Sequence, residues 1–218
     1  MFAITYRKIF LSIAAVIMTT SVLLIAGFGL NLGIDFTGGS LTEVSYDAAP
    51  EKALVDAQVE QMNLGGVSVR ESLDDAGKDA FLIKTRDLEE SEREQLASSV
   101  TSIGQGGEVT RFTSIGPVIG QELRDKAGWA IFGVASIIIL YVAFAFAGIG
   151  TPVSSWMYGL ITIFVLIHDV LVPTALMAVL GYFLGVEADV LFVMALLAVL
   201  GYSVNDTIVV FDRVRENL

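Results

Sequence analysis

Four runs of this chain are long and apolar enough to cross a lipid bilayer, and they decide the class of fold before any motif is considered. A spanning helix needs roughly 20 predominantly apolar residues. The runs are Ile9–Leu30, Ala127–Ala147, Ser155–Phe183 and Val190–Phe211. The third is interrupted by His168-Asp169 and Pro173, and the fourth contains Asn205-Asp206. Apolar residues make up 54% of the chain and charged ones 17%. A soluble domain typically has about 45–50% and about 25%. The mean hydropathy of +0.70 excludes a disordered chain as well. Cysteine is absent and His168 is the single histidine, so disulfides, thiolate sites and His-rich metal centres are excluded.

Charge divides the chain. Residues 31–124 carry 8 Lys+Arg and 17 Asp+Glu, a net of −9, out of −11 for the whole chain. That block reads as a water-soluble acidic module, and the pI of about 4.4 argues against a nucleic-acid partner. The first apolar run follows Arg7 and Lys8. It is too long for a signal-peptide core of about 7–15 residues and lacks an A-x-A-like cleavage site, so it reads as an uncleaved anchor. The positive-inside rule puts the N-terminus, the Gly148–Ser154 link and the Arg213/Arg215 end in the cytoplasm. The acidic module and the Gly185–Asp189 link then lie outside. Arg124 and Lys126 run against this rule, diluted by Glu122 and Asp125. The expected organisation is residues 1–30 as cytoplasmic end and first spanning helix, 31–124 as the extracytoplasmic domain, and 125–218 as three further spanning helices with a cytoplasmic end.

Within the module the apolar period switches repeatedly between that of a strand and that of a helix. Ser40–Tyr46, Val67–Glu71, Ala80–Thr85 and Glu108–Ser114 read as strands. Pro50–Asn63 reads as a helix with Pro50 in its first turn and Ala53, Leu54, Ala57, Val59 and Met62 on its buried face. Leu88–Ile103 reads as a second helix with an acidic first turn. This βαββαβ order predicts a ferredoxin-like α+β domain, which by itself names no function. Glu89, Glu90, Glu92 and Glu94 read as a solvated face. Gly33-Ile34-Asp35-Phe36-Thr37-Gly38-Gly39 leads from the first helix into the module. It reads either as a flexible exit loop or as a segment whose glycines allow close backbone approach. Ile115–Gly120 reads as a rigid turn.

Ionisable groups inside spanning helices cost roughly 2.5–3.5 kcal/mol each on insertion scales and are functional candidates by default. Asp169 lies about 14 residues into the third run, roughly 21 Å from its start. Pro173 leaves the Asp169 carbonyl without its helical N–H. This cluster reads equally as a proton or cation site and as a structural contact. Asp206 sits in the fourth run among Ser203, Asn205 and Thr207, and these four side chains are expected to face other helices or a wet cavity. Burial there raises a carboxyl pKa, which suits a proton relay. Ala195, Ala198 and Gly201 are expected to allow close helix approach. His168 reads as a neighbour of the relay or a packing residue. Asp212, Arg213 and Arg215 form a cytoplasmic boundary motif. No nucleophile motif or P-loop appears, so the chain is not expected to be an enzyme.

These residues resemble a known family. GIDFTGGS at Gly33–Ser40, HD at His168-Asp169 and GYSVNDTIVVFDRVRENL at Gly201–Leu218 look like the SecD/SecF family of the bacterial protein-export translocase, with the FDRVRENL ending and the GIDFTGGS loop favouring the SecF branch. The resemblance covers essentially the whole chain. It implies a resistance-nodulation-division type membrane module, multi-pass in the cell (inner) membrane. That module works with SecD, the SecYEG channel and YajC on unfolded secretory proteins, drawing on the proton motive force with no cofactor. Protons are the implied coupling ion and sodium is the alternative. Asp206 matches the family's proton-carrying aspartate, Asp169 its HD pair, and Arg213 the basic residue of its cytoplasmic motif. The family has six membrane helices, so the fifth and sixth, with a basic partner, are expected beyond Leu218. The link FAFAGIGTPVSSW departs from the family's charged and aromatic pattern. Two other readings are half of a small-molecule exporter of the same superfamily, for which the outer module is small, and a non-transporting scaffold that stabilises SecD.

Overall fold

The computed structural model describes residues 5–145 and 155–216. The chain divides into two compact units, Leu32–Asp125 and the remainder. The Leu32–Asp125 unit, called the outer unit after its expected placement, begins with a single helical turn, α2 (Ile34–Thr37). It continues as β1 (Gly39–Ser45), α3 (Lys52–Gln61), β2 (Ser68–Leu73), β3 (Asp79–Thr85), α4 (Glu90–Thr101) and β4 (Glu108–Ile115). These strands form an antiparallel sheet in the order β2-β3-β1-β4. That is the sheet order of a split βαβ unit, so the ferredoxin-like expectation fits. A bulge between Glu43 and Val44 shifts the β1–β4 register.

Strand alternation puts Val44, Val69, Phe81 and Ile83 on one face, where they pack with Val55 and Val59 of α3 and Leu96 and Val100 of α4. Tyr46 lies within the same core and donates its hydroxyl to the Val100 carbonyl at 2.8 Å. Burial pushes that phenol up from its usual pKa. The expected face of α3 needs correction. Leu54 is 55% exposed, Ala53 and Ala57 are also exposed, and Val55 and Val59 are the buried pair. One i, i+4 pair suffices because the helix is short and its flanking Met62 and Leu64 close the core. Pro50 lies before the helix, which starts at Lys52 with Glu51 as its N-cap. The turn Asp74–Lys78 is held by the Asp74 carboxylate, which accepts the N–H groups of Ala76 and Lys78.

The acidic start of α4 has a mechanical job as well as solvation. Glu89 and Glu92 form a reciprocal capping box. Arg86 reaches Glu92 through both guanidinium nitrogens, Nη1 at 2.9 Å from Oε2. The Arg86 hydrogen bond, and then the Glu89 N–H, hold the Glu92 carboxyl below its usual pKa.

The second unit holds the spanning helices α1 (Arg7–Phe28), α6 (Ser155–Leu184), α7 (Val190–Glu216) and most of α5 (Pro117–Ala145). Among the described residues these four helices are long and apolar enough to cross a membrane. Helix α5 begins at Pro117, so the expected rigid turn at Ile115–Gly120 is instead a helix start with proline in its first position. Its flank Glu122–Lys126 is helical too. Val142 of α5, Tyr158 and Leu166 of α6, and Leu200, Val204 and Phe211 of α7 form one buried cluster. Helix α1 packs on α6, with the Phe28 ring 4.6 Å from Tyr182 and 5.8 Å from Phe183. The expected small-residue approach through Ala195, Ala198 and Gly201 does not occur among the described residues. Those three positions are exposed, and the larger Leu196, Leu200 and Val204, spaced four apart, face the neighbours.

Two outcomes follow. Leu96→Ala removes a fully buried side chain shared by α4 and the sheet, and is expected to cost about 2–5 kcal/mol in denaturant unfolding of the outer unit. Glu92 contributes stability that is fully present above the ordinary carboxylate pKa of about 4.3 and is lost as pH falls through its lowered folded value. Glu92→Gln is therefore expected to flatten the acid limb of a melting-temperature profile run below about pH 5, with little change in slope near neutrality.

Candidate functional site

Four polar residues of the spanning unit border a space between α6 and α7. An open cavity of about 310 Å³ is lined by Ile161, Val165 and Asp169 of α6 and by Ser203, Asp206, Thr207, Val210 and Phe211 of α7. Residues 161, 165 and 169 are four apart and so share one helix face, as do Ser203, Thr207 and Phe211. Thus the two carboxylates singled out in the sequence border one cavity. His168 joins them, its Nδ1 lying 2.8 Å from Asp169 Oδ1. Both side chains of this pair are about one-third exposed (33% and 31%).

The four polar residues of α7, expected to face other helices or a wet cavity, are of two kinds. Ser203 is half-buried and Thr207 buried, whereas Asn205 and Asp206 are exposed in this chain. Successive residues turn about 100° on a helix, so a face that seats Ser203 and Thr207 against α6 carries Asn205 away from it. Asp206, three residues after Ser203, sits at the edge of the cavity. The expected burial of its carboxyl is therefore not supplied by this chain's own described residues.

Five hydroxyls of the spanning helices are satisfied locally. Thr19, Ser136, Thr162, Thr174 and Thr207 each donate to the carbonyl four residues earlier, at 2.6–2.9 Å. Ser203 differs: its Oγ is buried and has no hydrogen-bond partner among the described residues. Its own carbonyl already accepts from Thr207 at 2.8 Å. A buried unpaired hydroxyl costs roughly 1–3 kcal/mol, so its place beside two carboxylates suits a water or a transferable proton.

The glycine segment forms a second, mechanical site in the outer unit. Gly33 caps α2, Ile34 and Phe36 are buried, and Asp35 lies half-buried in the first turn. Thr37 donates to the Gly33 and Gly38 carbonyls, and Lys84 Nζ donates to the Leu32 carbonyl at 2.9 Å. Gly38 has φ 73°, and a Cβ there would lie 2.6 Å from the Pro117 Cα. Gly39 has φ 124°, and its Cβ would meet the Thr85 carbonyl oxygen at 2.5 Å. The segment is a close-packed joint, which decides against the flexible-loop alternative. Just beyond it, Ser40 hydrogen-bonds Ser114 (3.1 Å), which in turn bonds Asp87 (2.6 Å).

At the far end of α7, Arg213 donates to Glu216 at 2.6 Å, and Asp212 and Arg213 are exposed. The Arg215 side chain and the link at 146–154 lie outside the described residues. Sequence reasoning missed Asn31. Its amide nitrogen donates to the Gly185 and Val186 carbonyls and its carbonyl accepts the Ala188 N–H. No local pattern links residues so far apart in the chain.

The family described as "Protein export membrane protein SecD/SecF, C-terminal" matches residues 95–218, and "SecD/SecF GG Motif" matches residues 23–50. The chain belongs to the SecD/SecF family. It is 35% identical to the protein translocase subunit SecF of Anaerolinea thermophila, over 97% of this chain and 67% of that one. The SecF subunit of Pseudomonas aeruginosa is 34% identical, over 87% and 58% respectively. A crystal structure of SecDF, a translocon-associated membrane protein from Thermus thermophilus, superposes with a TM-score of 0.81 at 26% identity, covering 98% of this chain and 27% of that one. The chain thus spans about two thirds or less of these SecF subunits and about a quarter of the SecDF chain. SecD/SecF proteins are transport components and not enzymes, and this one is a multi-pass membrane protein. The GG motif of the SecD/SecF family coincides here with the joint at Gly38 and Gly39.

Gly38→Ala is expected to destabilise that joint by at least about 1–2 kcal/mol from its left-handed backbone alone, before the contact with Pro117 is counted. Hydrogen exchange of the β1 and β4 amides should accelerate accordingly, while the α6–α7 amides stay unchanged.

Proposed function

We propose that the chain is the SecF-type part of an accessory complex for protein export, paired with SecD in the cell membrane and assisting the SecYEG channel. Its N-terminus lies in the cytoplasm and its acidic unit outside, the orientation that Arg7, Lys8 and Arg213 favour. Asp206 takes up and releases the coupling proton, and Asp169, paired with His168, is its neighbour across the cavity. Ser203 and Thr207 line the path between them. Ferrying charge through the bilayer requires intramembrane carboxylates beside a wettable space. The observation that carries this reading is the shared cavity, with Asp169, Asp206 and the unpartnered Ser203 hydroxyl on its walls. Uptake of a proton at Asp206 changes the polarity of that wall, shifts packing between α6 and α7, and moves the outer unit to favour outward travel of a secretory chain.

The test is proton flux and export in vesicles containing the full-length subunit with its partners. Asp206→Asn is expected to lower proton-dependent export at least tenfold, and Asp169→Asn several-fold. Unchanged export and flux in Asp206→Asn would sink the relay. Flux that follows a sodium gradient and ignores pH would replace the coupling ion and keep the site.

A further inference from the structure

The spanning unit is bolted together at its outer end by contacts that no spanning helix needs for its own stability. Asn31 lies three residues past the end of α1 and is the last residue before the chain enters the outer unit. Its carbonyl accepts the Ala188 N–H at 2.7 Å. Its side-chain amide donates to the carbonyls of Gly185 (3.3 Å) and Val186 (3.4 Å), just after the end of α6. Gly181 makes room for it: a Cβ at that position would lie 3.1 Å from the Asn31 Cβ and 3.1 Å from the Val186 carbonyl oxygen. The rings of Phe28, Tyr182 and Phe183 meet in tilted and edge-to-face contacts beside it. So the exit of α1 is held to the end of α6 and to the α6–α7 link by a hydrogen-bonded clasp and an aromatic contact.

We infer that Asn31, seated on Gly181, is the positioning residue that couples the α6–α7 cavity to the outer unit. Helix α6 carries His168 and Asp169. Two residues past Asn31 the chain reaches Gly33 and the rigid joint that starts the outer unit. A displacement of α6 against α7 is therefore delivered through the clasp to the first residues of the outer unit. Without the clasp, the same displacement would be absorbed between Phe28 and Gly33. This inference rests on the proton reading of Asp169 and Asp206.

The experiment uses the full-length subunit in its complex, with spin labels at two exposed positions, Asp75→Cys in the outer unit and Leu184→Cys at the outer end of α6. Proton flux is recorded in the same vesicles. In the parent protein the label distance is expected to shift when a proton gradient is applied. Asn31→Ala combined with Gly181→Val should abolish the shift and cut export at least fivefold, while proton flux stays within twofold of the parent. A second version uses Asn31→Cys with Gly181→Cys and carries the labels at positions 75 and 184 on ketone-bearing side chains, so that thiols are present only at the clasp. Residues 1–218 hold no cysteine, and any cysteine elsewhere in the full-length complex is replaced by serine; the two Cβ atoms would lie 3.1 Å apart, a few tenths of an ångström inside the usual disulfide separation. Oxidation of this pair should restore both shift and export, and reduction should remove them from the same folded protein. A reduced pair that still moves and exports like the parent overturns the clasp while leaving the relay intact. If Asp206→Asn leaves flux unchanged, the relay fails and the coupling role fails with it.

Discussion

Lipid supplies no hydrogen-bond partner, and the arrangement of the spanning unit follows from how each polar group finds one inside the protein. Peptide groups are satisfied by helix formation, and the hydroxyls largely follow suit by bonding the carbonyl four residues back. Thr162 shows how complete this is: fully buried between helices, it still takes its partner from its own helix at Tyr158. Helix α6 tolerates Pro173 in its interior, and next to it the Thr174 hydroxyl donates to the Val170 carbonyl at 2.6 Å. Once these local solutions are made, few groups are left that must look across to another helix or to water. Asp169, with His168, and Asp206 and Ser203 are such groups, and three of the four border one cavity.

The outer unit obeys the opposite logic, because water is available to its surface and its order comes from burial and close approach. Its core is made by alternate residues of β1, β2 and β3 under two short helices. Its entry is made by backbone lying on backbone at Gly38 and Gly39. A side chain at either position would collide with main-chain atoms, which cannot rotate out of the way. The two glycines and the one-turn helix before them make the start of the unit stiff, with Ile34 and Phe36 buried beneath it. Lys84 and the Ser40–Ser114–Asp87 chain add polar ties on the same side.

Much of this was readable in the residues. The period of two in SLTEVSY and the lengths of the apolar runs locate the strands and spanning helices within a few residues, because those patterns are local and strong. The face of α3 is not legible in the residues because apolar side chains lie all round it at Ala53, Leu54, Val55, Ala57 and Val59, and burial at Val55 is decided by the sheet beneath it. The helical start at Pro117 was read as a turn because Gly116-Pro117 is equally good turn chemistry; what extends the helix outward is the docking of Gly120 against the Gly38 backbone. At the cavity, the residue types in GYSVNDT pointed to Asp206. The inward seats of Ser203 and Thr207 and the outward one of Asn205 depend on the rotational setting of α7, which Leu196, Leu200 and Val204 determine by packing. Asn31 gave no signal because its partners lie at Gly185, Val186 and Ala188.

Packing is not uniform around α6. Toward α1 it presents Tyr182 and Phe183 to Phe28 and a glycine to Asn31, contacts that are aromatic, close and hydrogen-bonded. Toward α7 it presents a cavity whose wall mixes Ile161 and Val165 with Asp169. Apolar interdigitation resists displacement because every lost contact goes unreplaced. A wall interrupted by carboxyl and hydroxyl groups has a second arrangement available whenever a proton or a water changes what those groups prefer. Helix α6 thus meets α1 through close aromatic and hydrogen-bonded contacts, and meets α7 both through the apolar cluster of Tyr158 and Leu166 and through this polar-walled cavity.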